Sequence, residues 1–135
     1  MKHMFVAVAM LATVSCMAQD APSAVKNAFA KNFPGASVKK WDKEDGKYEA
    51  NFSKGGKIMS ATFAADGTLE ETETDIKVSE LPASVTEYIK TNYKGAAVKE
   101  AAMIVRGSDK MYEAEVKGKD LLFDIQGKFL KEEED

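Results

Sequence analysis

Histidine and cysteine are almost missing from this 135-residue chain; each occurs once, as His3 and Cys16. Both fall in an N-terminal stretch that reads as a targeting segment, so the remainder has neither an imidazole nor a thiol. That excludes Ser-His-Asp and Cys-His catalysis, and zinc sites built on His or Cys. Arginine is equally scarce: of 19 basic residues, Arg106 is the one that is not Lys. Arg is the side chain suited to bidentate phosphate and guanine contacts, and the formal net charge is −3, so a nucleic-acid partner is not expected. With 3 Pro and 9 Gly, collagen-like and low-complexity classes are out. The longest apolar run, Met4–Val14, falls short of the roughly 20 residues that cross a bilayer as a helix.

What is present is an ordinary globular composition, 44% hydrophobic and 30% charged. This length fits one compact domain or two very small fused units. Residues 1–18 read as a secretory signal peptide. Lys2 gives the positive start, Met4–Val14 the apolar run, and Ser15-Cys16-Met17-Ala18 the small-residue cleavage region. Cleavage after Ala18 is the favoured reading and predicts a periplasmic or secreted protein. Thr13-Val14-Ser15-Cys16 also loosely resembles a lipoprotein box, which would place a lipid anchor on Cys16.

The acidic runs Glu70-Glu71-Thr72-Glu73 and Glu132-Glu133-Glu134-Asp135 lack the oxygen-ligand spacing of a calcium loop and read as solvated strand ends. No metal site, cofactor or acid–base pair is implied.

An internal repeat organises the rest. At a shift of 60 residues, Pro22-Ser23-Ala24-Val25 meets Pro82-Ala83-Ser84-Val85, and Gly35-Ala36-Ser37-Val38-Lys39 meets Gly95-Ala96-Ala97-Val98-Lys99. Tyr48-Glu49-Ala50 meets Tyr112-Glu113-Ala114 at a shift of 64, and Phe63 and Gly67 return to 60 against Phe123 and Gly127. Each copy opens with a helix, carried by Val25, Ala28, Phe29 and Phe33, and by Val85, Tyr88, Ile89 and Tyr93.

Four short strands are expected to follow each helix. A two-residue turn at Gly55-Gly56 pairs Phe52 with Met59, Ala50 with Ala61, and Tyr48 with Phe63. A turn at Gly118-Lys119 pairs Val116 with Leu121 and Ala114 with Phe123. Turns at Asp45-Gly46 and Ser108-Asp109 close the first hairpin of each copy, and a loop ending at Gly127 pairs Phe123 with Phe129. The predicted fold class is α+β: two tandem helix-plus-four-stranded antiparallel repeats, residues 19–76 and 77–135, forming one compact unit.

One sheet face is predicted to lie under the helices and the other to face water. The open face would carry Glu49, Asn51, Ser53, Ile58, Ser60 and Thr62, then Ile104, Glu113, Glu115, Lys117, Leu122, Asp124 and Leu130. Leu122 and Leu130 are expected as cross-strand neighbours with Ile104 nearby, a small apolar cluster ringed by charge and a candidate protein-contact site. Trp41 has two readings. A two-residue turn at Asp45-Gly46 puts it in the core opposite Ala50, the favoured choice. A three-residue loop puts it on the open face as a binding anchor.

Asn32-Phe33-Pro34-Gly35-Ala36-Ser37-Val38, Tyr48-Glu49-Ala50-Asn51-Phe52 and Phe63-Ala64-Ala65-Asp66-Gly67-Thr68-Leu69 resemble the PepSY-like, β-lactamase-inhibitor-like family. The second copy resembles it through Leu81-Pro82, Tyr88-Ile89, Tyr112-Glu113-Ala114 and Gly127-Lys128-Phe129-Leu130. The resemblance implies exported proteins of the Bacteroidetes type, tandem units like those of β-lactamase inhibitor proteins, and no catalytic residues to carry over. The functional expectation is a non-enzymatic binding or inhibitor-like module contacting a protein or peptide in the bacterial envelope, with Ile104, Leu122, Leu130 and Trp41 as candidate contacts. The alternative is a small-ligand or cation carrier in the periplasm.

Overall fold

Helix α1 (Ser23–Asn32) is followed by strands β1 (Val38–Glu44), β2 (Lys47–Lys54), β3 (Lys57–Ala64) and β4 (Leu69–Ile76). A 3-10 turn (Val78–Glu80) leads to α2 (Ala83–Asn92), then β5 (Glu100–Arg106), β6 (Asp109–Val116), β7 (Lys119–Asp124) and β8 (Phe129–Glu134). This computed structural model describes residues 20–134. The expected leader 1–18, its cleavage after Ala18 and the Cys16 anchor lie outside them. Among the described residues no helix is long and apolar enough to cross a membrane. The chain divides into two compact units, with the boundary between Thr72 and Glu73 inside β4.

In residues 20–72, α1 exists because Val25 and Phe29 fall one helical turn apart on one stripe, with Phe33 continuing it beyond the helix end. Pro22 sits at the N-cap, where its missing N–H costs nothing, and its carbonyl accepts from Val25 and Lys26 N–H at 3.0 Å. The stripe packs on Tyr48, Ala50, Phe52, Ala61 and Phe63. The β2–β3 register pairs Phe52 with Met59, Ala50 with Ala61 and Tyr48 with Phe63, as the Gly55-Gly56 turn predicts. Phe29 is the hub, with ring centroids 4.9 Å from Phe52 and 5.4 Å from Phe33.

Trp41 pairs with Ala50 and lies half-buried against this core, its ring 6.0 Å from Phe29 edge-on. The two-residue turn at Asp45-Gly46 decides the matter, since Asp45 and Gly46 both adopt positive φ. Trp41 is therefore on the helix side and is not an open-face anchor.

In residues 73–134 the same physics recurs. Val85 and Ile89 of α2 pack on Leu81, Ala101, Ala114, Val116, Leu121 and Phe123, with Tyr88 stacked on Phe129 at 4.6 Å. Phe123 pairs with Phe129 as expected.

Two turns differ from expectation. The β6–β7 turn is Lys117-Gly118, so Val116 pairs with Lys119 and Ala114 with Leu121. Both turn residues have positive φ, Lys117 at 52° and Gly118 at 73°, which suits a tight hairpin turn. The β5–β6 turn is Gly107-Ser108, with Arg106 opposite Asp109, because Gly107 takes the positive φ of 59°. The first correction slides the register by two residues and leaves each side chain on its predicted face.

Gly67 and Gly127 fix each β-hairpin to the start of its helix. A Cβ on Gly67 would lie 2.7 Å from the Ala24 carbonyl oxygen, and one on Gly127 would collide with the Ser84 hydroxyl.

Candidate functional site

The face of residues 73–134 that points away from α2 is built from alternate residues of four strands. Its registers put side chains into three cross-strand rows. The first is Glu100, Glu115, Asp120 and Glu133, each directly opposite the next. The second is Ala102, Glu113, Leu122 and Lys131, and the third is Ile104, Met111 and Asp124.

Four carboxylates in one row repel one another, because like charges directly opposite are destabilising. Basic side chains enter from the ends. Lys99 Nζ is 3.8 Å from Glu115 Oε1. Lys131 Nζ and Arg106 Nη1 both reach Glu133 Oε1, at 2.7 and 3.7 Å. Burial opposes ionisation of Glu133, but the Lys131 hydrogen bond and the Arg106 charge outweigh it and hold its carboxyl below the usual range.

The Arg106–Glu133 contact reports the shape of this sheet. Arg106 lies on β5 and Glu133 on β8, three strands apart, and their registers place them six residues apart along the strand axis. In a flat sheet that diagonal would be about 24 Å. Right-handed twist curls diagonal corners of a sheet toward one face, and here it brings the two side chains together.

The open apolar patch expected from the sequence is absent from residues 73–134. Ile104 is 1% exposed and Leu122 fully buried, and with Met111 they form a closed cluster distinct from the helix-backed core. Leu130 is exposed at 48%, yet it is not a neighbour of Leu122; Lys131 is. The cause is a β-bulge: β8 shifts register between Phe129 and Lys131, and Leu130 is the extra residue. The supposed water-facing slab is also largely closed, since Glu49, Ser60, Thr62, Glu113, Glu115 and Asp120 are all buried.

Sequence reasoning missed Met111, Asp120, Glu100 and Glu133 on this face. The first follows from the Gly107-Ser108 turn, which sets Met111 opposite Ile104. Asp120 follows from the Lys117-Gly118 turn, which sets it opposite Glu115.

In residues 20–72 the corresponding face is polar. Asn51 Nδ2 donates to Asp42 Oδ2 at 3.1 Å, and Lys40 Nζ sits 3.0 Å from Asp42 Oδ1. Among the described residues no group of three or more acidic, His or Cys side chains is arranged to hold a metal ion. A groove of about 280 Å³ is lined by Asp75, Ile76, Lys77, Val78, Lys99 and Glu100, at the Glu100 end of the carboxylate row. Chemically, the second-unit face is a closed apolar cluster beside a row of carboxylates, and Leu130 and Lys131 of β8 stay exposed next to it.

A model of the family described as putative beta-lactamase-inhibitor-like, PepSY-like matches residues 13–62 and 46–131. A Bacteroides ovatus protein of the DUF2874 family has a similar fold, with TM-score 0.75, 24% identity, and coverage of 86% of this chain and 89% of that one. A BLIP-like protein from Bacteroides fragilis matches with TM-score 0.71 and 23% identity over 86% of this chain and 87% of its own. A Bacteroides eggerthii protein described as periplasmic matches with TM-score 0.76 and 21% identity over 86% and 90%. No curated protein matches the chain.

Proposed function

This chain belongs to the PepSY-like family, and on that premise we propose that it is an exported, non-enzymatic, inhibitor-like module that binds a protein or peptide in the bacterial envelope. The observation that carries the reading is the match to a family model described as beta-lactamase-inhibitor-like. In residues 73–134 the trio Ile104, Met111 and Leu122 is closed off, and a partner would meet the exposed β8 edge beside it, at Leu130 and Lys131.

The same reading takes the chain as two copies of one helix-plus-four-strand plan, residues 19–76 and 77–135, behind a leader 1–18. The near-equal cap angles of α1 and α2 and the matching seats of Gly67 and Gly127 support that plan. The periplasmic description of the Bacteroides eggerthii relative supports an envelope location.

A photo-crosslinking amino acid in place of Lys131 tests the contact face, with one in place of exposed Glu87 on α2 as control. A discrete adduct in envelope extracts from position 131 and none from 87 is the expected outcome. No adduct at 131, or the same adducts at both positions, overturns it.

The groove at Asp75, Lys77, Lys99 and Glu100 favours a second reading, a carrier of a small zwitterion. Its volume of about 280 Å³ falls just below the usual range for small-molecule sites, about 300–1,000 Å³, which ranks it second. A thermal-shift screen with amino acids and dipeptides decides it, and the absence of any shift excludes it.

A further inference from the structure

Among the described residues, β1 has a strand neighbour only on its β2 side, and β8 only on its β7 side. Each therefore presents a row of backbone N–H and C=O groups outward. The two edges are charged in opposite senses: β1 carries three lysines against two carboxylates, and β8 three glutamates against one lysine.

Their order is complementary as well as their sum. On the helix-free face, Lys40 and Asp42 of β1 form a same-strand ion pair at 3.0 Å, and Lys131 and Glu133 of β8 form one at 2.7 Å. Lys40 shares that face with Asn51, and Glu133 shares it with Asp120, as their registers show. Run antiparallel with this face kept continuous, the two strands set Lys40 opposite Glu133 and Asp42 opposite Lys131. Trp41 then faces Glu132. Sliding by two residues in one direction opposes Asp42 to Glu133, and in the other opposes Lys40 to Lys131. Each alternative places like charges together, so the register is specified.

We infer that β1 of one copy adds to β8 of a second copy, joining molecules edge to edge through an alternating square of Lys40, Asp42, Lys131 and Glu133. The contact is heterologous, so each added copy leaves one edge of each kind free, and assembly grows with concentration. Charged edges commonly serve to discourage strand addition. Here the charges discourage like edges and admit the unlike one.

Two charge-swapped variants test this: K40E/D42K, and K131E/E133K. All four side chains are at least partly exposed, and matching thermal melts confirm that each variant folds. In sedimentation velocity at rising concentration, the wild type is expected to move from monomer to multiples of the monomer mass, and added salt reverses the shift. Each variant alone is expected to stay monomeric, because the swap opposes like charges. Mixed in equal amounts, the two variants are expected to assemble again, since the swapped β1 matches the swapped β8. A wild type that stays monomeric at the highest attainable concentration overturns the proposal. So do variants that assemble as the wild type does, or a mixture that stays monomeric.

Discussion

Arg106 and Glu133 meet at 3.7 Å although two strands, β6 and β7, lie between theirs in the sheet order of residues 73–134. The pair straps together two corners that the twist has already brought near. Arg106→Ala is expected to loosen the curl and admit water to Ile104, Met111 and Leu122. Peptide-level mass spectrometry after mild peroxide treatment should show faster oxidation of Met111 than in the wild type. Global stability should change by no more than about 1 kcal/mol, since both partners are partly exposed.

Phe29→Ala removes the ring that touches Phe33, Trp41, Phe52 and Phe63 together. The expected cost is about 3–5 kcal/mol, read from denaturant midpoints. Trp41 is the chain's one tryptophan, so its emission should shift to the red in the folded variant as the site hydrates.

Gly67→Ala and Gly35→Ala separate two effects. Both positions have positive φ, 93° and 82°. A Cβ at Gly35 meets nothing within 4 Å, whereas at Gly67 it meets the Ala24 backbone at 2.7 Å. Backbone strain alone is about 1 kcal/mol at Gly35. Gly67→Ala should cost clearly more, because a helix backbone cannot rotate aside as a side chain can.

Glu132 accepts hydrogen bonds from Lys119, whose Nζ lies 2.7 Å from Oε1, and from the Tyr93 hydroxyl at 3.0 Å. Those bonds hold its carboxyl below the usual carboxylate range. A depressed folded-state pKa gives stability that is present above the unfolded value of about 4.3 and lost as pH falls through the folded one. Glu132→Gln should therefore lower the midpoint near neutral pH, and the gap should close on acidification below about pH 4. Burial, and then Glu132, raise the Tyr93 phenol, so its absorbance titration should move down in the same variant.

The sequence is most informative where one residue forces one geometry. Gly55-Gly56 allows a single tight turn, and the alternation of Tyr48, Ala50 and Phe52 then fixes the β2–β3 ladder. The helices are equally legible, because Val25 and Phe29, like Val85 and Ile89, leave one stripe to bury. Lys117-Gly118 was harder to see, since a lysine at positive φ has no sequence signature as strong as Asn or Gly there. The Leu130 bulge and the coiling that joins Arg106 to Glu133 are collective properties of four paired strands. Neither follows from a local pattern, and the expected exposed trio, Ile104, Leu122 and Leu130, is instead a buried pair and an exposed outlier.

The contrast between Gly67, wedged on Ala24, and Gly55-Gly56, with open space around both, tells an engineer where this chain tolerates interruption. An epitope tag or a new pair of termini belongs between Gly55 and Gly56. The same graft beside Gly67 would pry α1 from its sheet.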